Sequence, residues 1–237
     1  MVNFEAKWKV FIDALKVERF REMIFDGFFN TLLIAVLGLL IGIVIGIIIA
    51  IIKIAPREKW YVKFANALCT GYTAIFRGTP IVVQLLLAYY VILPLLGVKG
   101  VIALNVAIIV FGLNSGAYVS EIMRGGLLSV DKGQMEAGRA VGLSYTTTLV
   151  KIVIPQAIKN ILPTLGNEFI TLIKETSVVS FITVVDLYTA FQQIGSNKYD
   201  FVVPYIVMAV VYIVLVVIIS ILVKLLERRL GKSDRRN

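Results

Sequence analysis

The chain has no histidine and a single cysteine, Cys69. Without histidine it lacks the commonest metal ligand and the commonest general base. One cysteine excludes an internal disulfide and any cysteine-built metal site. Charge is scarce as well: 16% of the residues are charged, against about 25% in an ordinary soluble domain. No paired carboxylates and no nucleophile with its base stand out, so a membrane enzyme finds no support. A phosphate loop is also missing. Gly231-Lys232-Ser233 has the right ending, but Leu226 stands where the first glycine is required. The chain therefore has no phosphate-loop nucleotide site of its own. No cleavable signal is expected. The first 27 residues mix five basic and five acidic side chains, and the apolar run that follows is too long for a signal core.

What the chain has in excess is apolar surface. Of its 237 residues 59% are hydrophobic, and the mean hydropathy is +0.89. Several runs are long enough to cross a bilayer. The length suits one polytopic all-α membrane domain. The net charge of +9 sits at the ends of apolar runs, which suits anionic lipid headgroups rather than nucleic acid.

Five spans are expected, preceded by a helix on the membrane surface. Within residues 1–27, Phe4, Trp8, Phe11 and Leu15 follow helical spacing, with Lys7, Lys9, Asp13 and Lys16 off that stripe. Thr31 to Ile52 is 22 residues without a charge, and Gly38, Gly42 and Gly46 form a small-residue stripe along it. Lys53, Arg57 and Lys59 follow, with Pro56 marking a break. Residues 61–96 read as one composite span, kinked at Arg77-Gly78-Thr79-Pro80. Val101 to Ser120 is the third span. It carries a second small stripe (Gly112, Gly116, Ser120), and Asn114, Tyr118 and Glu121 share one of its faces, with Arg124 three positions on. Residues 156–191 carry a polar row, Asn160, Thr164, Asn167, Thr171 and Lys174, that acyl chains cannot cover. Pro163 marks a start or kink. Tyr205 to Val223 is the last span, and residues 231–237 form a basic tail.

Charge orients these spans. The segments 53–63, 124–159 and 224–237 carry 4, 5 and 6 basic residues, whereas 97–100 and 192–203 carry one each. The positive-inside rule places the first set in the cytosol, the N-terminus outside and the C-terminus inside.

The segment from Glu136 to Pro155 is a polar island in this apolar chain. It reads Glu136-Ala137-Gly138-Arg139-Ala140-Val141-Gly142, then nine residues, then Ile152-Val153-Ile154-Pro155. Small side chains let another backbone approach, and Gly142 stands where a helix would stop. Glu136, read as lying near the helix start, suits the positive end of the dipole. With the segment set at about 129–145, this is expected to be a docking helix.

That spacing resembles the EAA loop of ABC-importer permeases, with Gly138 for the second alanine and Ile154 for the usual leucine. Further blocks resemble the permeases of polar amino-acid importers of the histidine, glutamine and arginine type. They are Tyr72 to Pro80 followed by Gln84; Ala117-Tyr118 with Glu121 and Arg124-Gly125; Gly133-Gln134-Met135-Glu136-Ala137; Pro155-Gln156-Ala157; and Ile173-Lys174-Glu175-Thr176-Ser177. The matches run over residues 28–230.

The resemblance implies a type I importer fold and a transport subunit that is not itself an enzyme. It implies that Glu136, Ala137, Gly138, Arg139 and Gly142 couple the chain to a cytosolic ATPase dimer. That dimer would hold ATP and magnesium, while this chain would hold no cofactor or metal. A second permease copy or a paralogue, an extracytoplasmic amino-acid-binding protein, membrane lipid and the amino acid itself are the further partners, in the bacterial plasma membrane. A homodimer is favoured. Candidate pathway residues are Arg77, Asn114, Tyr118, Glu121, Thr176, Ser177, Ser180 and Asp186. Arg77 and the hydroxyls suit a carboxylate, and the acidic groups suit an ammonium. Glu121, Glu168, Glu175 and Asp186 outnumber Arg77 and Lys174 in the spans, which favours a basic amino acid such as arginine. Two alternatives stay open. Glu121 can instead pair with Arg77 or Arg124. The chain can also be a self-contained secondary transporter or channel, although no inverted repeat is visible and the polar island would then have no use.

Overall fold

The structure, a computed structural model, describes residues 4–55 and 58–231. Pro56, Arg57 and most of the expected basic tail lie outside the described residues, as do the first three positions.

Helix α1 (Phe4–Leu15) leads into α2 (Glu18–Ile54), α3 (Trp60–Gly78) and α4 (Ile81–Leu87). A π-helical turn carries α4 into the short α5 (Leu93–Leu95). Then come α6 (Ala103–Leu128), α7 (Lys132–Ala140) and α8 (Tyr145–Thr148), which passes through a second π turn into α9 (Ile154–Glu175). A 3₁₀ turn (Thr176–Ile182) precedes α10 (Leu187–Lys198) and α11 (Val202–Gly231). No strand occurs among the described residues.

Helices α2, α6 and α11 are long and apolar enough to cross a membrane. The composite span is α3 with α4 and α5, bent by 106° where Thr79 and Pro80 interrupt the helix. Helix α9, where a further span was expected, has 22 residues but is not apolar enough to join them.

The surface helix differs from expectation in extent. Residues 1–27 are expected to hold one surface helix, but the helix stops at Leu15, and Val17 is extended (φ −76°, ψ 118°) before α2 begins at Glu18. Residues 18–27 thus belong to the first spanning helix. Phe11 and Ala14 of α1 pack on Phe20, Leu187, Phe191, Ile194 and Val203, while Phe4 and Trp8 remain about half exposed.

The two small-residue stripes meet each other. A Cβ on Gly42 would stand 2.7 Å from Ser115 Oγ, and one on Gly46 would stand 2.6 Å from Val119 Cγ1. Reciprocally, a Cβ on Gly112 would stand 2.5 Å from Ile41 Cγ2, and one on Gly116 2.7 Å from Ile45 Cγ2. Each glycine admits a side chain of the facing helix, so α2 and α6 pack at a range that any larger residue would forbid. Around this pair Ile34, Leu85, Phe111, Leu172, Ile173 and Ile182 form the main core.

Candidate functional site

The polar island folds as a helical hairpin. Asp131 caps α7 by accepting from the Gly133 amide at 2.6 Å. The helix therefore starts at Lys132, and Glu136 is its fifth residue rather than part of its first turn. The dipole argument for Glu136 does not hold in this geometry. The stop at Gly142 is as expected: φ is +87°, Leu143 N donates to Gly138 O and Gly142 N to Arg139 O, both at 3.1 Å, which is a Schellman closure. Arg139 adds a bond from its guanidinium to Leu143 O at 3.1 Å.

Gly138 is the one buried member of the set. A Cβ there would meet Thr148 Cγ2 at 2.3 Å, so its smallness serves the closure of this hairpin on α8. Glu136, Ala137, Arg139, Ala140, Val141 and Gly142 are exposed, and a Cβ on Gly142 would meet nothing within 4 Å. These residues form an exposed surface of the hairpin.

At the broken span the polar groups are fully used. Ending α3 at Pro80 frees carbonyls that no amide further along the helix can reach. The Gln84 amide donates to Phe76 O (2.8 Å), Thr79 O (3.0 Å) and Thr79 Oγ1 (2.9 Å). Asn114, buried on α6, donates to Gln84 Oε1 at 2.9 Å and to Phe76 O at 3.3 Å. Asn114 is thus a bracket for the break. Beside it, the Arg77 guanidinium lies 5.5 Å from the centre of the Tyr118 ring. Arg77 is exposed and has no ion-pair partner among the described residues.

Glu121 is engaged elsewhere. Its carboxylate accepts from Lys53 Nζ at 2.7 Å and pairs with Arg124 at 2.9 Å, and Lys53 also donates to Thr73 Oγ1 at 3.0 Å. Of the two pairings open to it in the sequence, Arg124 is realised and Arg77 is not. Lys53 was missed; its only signal is its place at the end of the uncharged run.

Asp186 is buried as the cap of α10. It accepts from the Thr189 amide (2.9 Å), the Thr189 hydroxyl (2.6 Å) and the Tyr188 amide (3.2 Å). Thr176, Ser177 and Ser180 lie on the 3₁₀ turn and donate to carbonyls three residues back. Thr176 is fully buried, whereas Ser177 and Ser180 line a shallow concavity with Phe181, Tyr188 and Gln192. No hydrogen bond or ion pair among the described residues joins Arg77, Glu121 and Asp186. Glu168, half buried on α9, accepts from Ser115 Oγ at 3.0 Å.

A broken span, a long polar-faced helix packed beside the apolar spans and an exposed loop helix are features suited to the membrane subunit of a transporter. The family model for the inner membrane component of binding-protein-dependent transport systems matches residues 42–232. The arginine transport system permease protein ArtQ of Bacillus subtilis is 38% identical over 163 residues, which is 69% of this chain and 74% of that protein. The L-cystine transport system permease protein TcyB of the same organism is 40% identical over 160 residues, or 67% of this chain and 68% of that one. A solved amino acid ABC transporter with histidines superposes with a TM-score of 0.81 at 38% identity, covering 91% of this chain and 97% of that one. The chain belongs to the family of inner membrane components of binding-protein-dependent transport systems. It is a transport subunit. ATP hydrolysis falls to a partner ATPase, and a second permease subunit and a binding protein complete the assembly.

Proposed function

We propose that two copies of this chain, or one copy and a paralogue, form the pathway of an ATP-driven importer for a polar amino acid. Basic amino acids such as arginine head the candidates. ATP and magnesium reside in the partner ATPase. The N-terminus and α1 lie outside, and α7 docks in the cytosol through Glu136, Ala137, Arg139 and Gly142. Closure of the ATPase dimer draws the two α7 helices together and turns the cavity outward.

The observation that carries this reading is the exposed polar row of α9. Asn160, Thr164, Asn167 and Lys174 lie uncovered on this helix, which spans the membrane in this reading. Hydrocarbon cannot cover such a row, so a second subunit and a watery pathway must. Arg77 over Tyr118, without a carboxylate of its own, is the best-placed group for a substrate carboxylate. With Glu121 held by Lys53 and Arg124, and Asp186 capping α10, the preference for a cationic side chain rests on Glu168 and Glu175. Neither has an ion-pair partner among the described residues.

Proteoliposomes containing the chain with its ATPase and binding protein test the reading. Arginine uptake is expected only with internal or external ATP at the ATPase face, and Arg77→Gln is expected to weaken uptake while assembly stays intact. Uptake by the chain alone, driven by an ion gradient, would overturn it in favour of a secondary transporter.

A further inference from the structure

Two of the sequence blocks, Gly133-Gln134-Met135-Glu136-Ala137 and Pro155-Gln156-Ala157, have no role in the account so far beyond the residues on the open face of α7. The structure joins them. Gln156 Nε2 donates to Gln134 Oε1 at 3.1 Å across 22 residues of chain. One turn further along α9, Asn160 Nδ2 donates to Ser129 Oγ at 2.8 Å. Ser129 in turn donates to Gly126 O at 2.7 Å, so the second link ends on α6. Gln156 and Asn160 are four residues apart and hence stacked on one face of the helix. That face continues through Thr164, Asn167, Thr171 and Lys174, the polar row described above. Behind the links the packing is close: a Cβ on Gly126 would stand 2.2 Å from Ile161 Cγ1.

We propose that Gln134–Gln156 is a strut that makes α7 move as one body with the first turns of α9, while Ser129–Asn160 pins the α6 end of the same junction to α9, so that displacement of α7 becomes displacement of the pathway face. These four are positioning residues. The proposal rests on the docking role assigned to α7. Amides suit the task because their bonds are directional yet uncharged. A hairpin held only by the Gly138–Thr148 contact would pivot about the α6–α7 junction, and part of the stroke would be lost.

The test uses the complete complex in proteoliposomes, with Cys69→Ala and spin labels at Lys132→Cys and Ile158→Cys. The label spacing is expected to stay constant between the nucleotide-free and ATP-trapped states. Gln134→Lys with Gln156→Lys places two like charges across the link. It is expected to broaden that spacing and to lower arginine uptake per ATP hydrolysed, because the like charges drive the two helices apart. Gln134→Glu with Gln156→Lys restores an attractive pair and is expected to recover both readouts. A spacing that changes on ATP binding in the wild-type complex would overturn the strut. So would a Lys–Lys variant with unchanged spacing, or a Glu–Lys variant no better than Lys–Lys. A wild-type complex that takes up no amino acid fails the functional reading instead, while the spacing still reports on the strut.

Discussion

Lys53 Nζ stands 2.7 Å from Glu121 Oε1, tying the end of α2 to the third span at a point where both side chains are largely screened from solvent. Arg124 holds the second carboxylate oxygen, and Thr73 brings α3 into the cluster. The Lys53 ammonium thus joins three helices, reaching Glu121 on α6 and Thr73 on α3 from the end of α2. Removing one member of such a pair strands the other charge, at a cost of about 1–3 kcal/mol for partly buried partners. Lys53→Met is expected to lower the thermal midpoint in detergent more than Arg124→Met, because the Arg124 side chain is 42% exposed and the Lys53 side chain 10%. Glu121→Gln should add little to Lys53→Met. Additive losses in that double variant, or a lower uptake with an unchanged midpoint, would return Glu121 to the list of substrate groups.

The α2–α6 contact gives a test with an internal control. Gly46→Ala would force a Cβ to within 2.6 Å of Val119 Cγ1, where something must shift. A cost of about 1–3 kcal/mol is expected from overpacking of this kind. Gly71, on α3, meets nothing within 4 Å, and Gly71→Ala should be neutral or stabilising, since alanine favours helix by about 1 kcal/mol. Thermal melts of the two variants in one detergent compare them directly. Equal midpoints would mean that the stripes do not set the packing distance.

Much of this arrangement was legible in the sequence because its signals are local. The glycine stripes, the uncharged run of α2, the break at Pro80 and the spacing of the polar island are all written within a few turns of chain. Lys53–Glu121 was not, because 68 residues separate the partners and no periodicity relates them. Asp186 was misplaced for a different reason. Residues 156–191 read as a single span, so a carboxylate within it resembled an intramembrane charge. In fact α9 ends at Glu175, the chain tightens into a 3₁₀ turn, and Thr183 takes a left-handed conformation (φ 65°) before a new helix starts. Asp186 with Thr189 three positions later is an N-cap pattern. It was available in the sequence but outweighed by the apolar run around it. Glu136 shows the same limit at smaller scale, since the true cap, Asp131, lies five residues upstream.

The ion pair that ties down α1 should respond to acid. Lys7 Nζ lies 2.8 Å from Asp200 Oδ2 and links α1 to the turn before α11. The hydrogen bond from Lys7 holds the Asp200 carboxyl below the ordinary carboxylate range. A carboxyl whose folded value is depressed contributes stability above its unfolded pKa and loses it as the pH falls through the folded value. Docking of α1 should therefore be constant near neutrality and weaken below about pH 4. Trp8 fluorescence followed against pH reads this. Asp200→Asn is expected to flatten the acid limb, and an unchanged limb in that variant would assign the acid response to other groups.

The bracket at the broken span separates a positioning role from a substrate role for Asn114. Gln84 and Asn114 together satisfy Phe76 O and Thr79 O at the end of α3, and Asn114 reaches Gln84 itself. Arg77 is the residue just after Phe76, so its placement over Tyr118 depends on how this turn is held. Asn114→Leu removes two donated bonds from a buried position and leaves Gln84 Oε1 unpaired, a loss of about 1–3 kcal/mol. Gln84→Leu removes four bonds, three donated and one accepted from Asn114, at a more exposed position and should cost less per bond. If the bracket acts through Arg77, both variants should lower substrate affinity in the manner of Arg77→Gln, and neither should deepen that defect when combined with it. Asn114→Asp keeps the shape but cannot donate, so it should resemble the leucine variant. If Asn114 instead touches substrate, its effect should add to that of Arg77→Gln, while Gln84→Leu should leave affinity near wild type. Half-saturation for uptake, measured across the single and double variants at matched assembly, distinguishes the two.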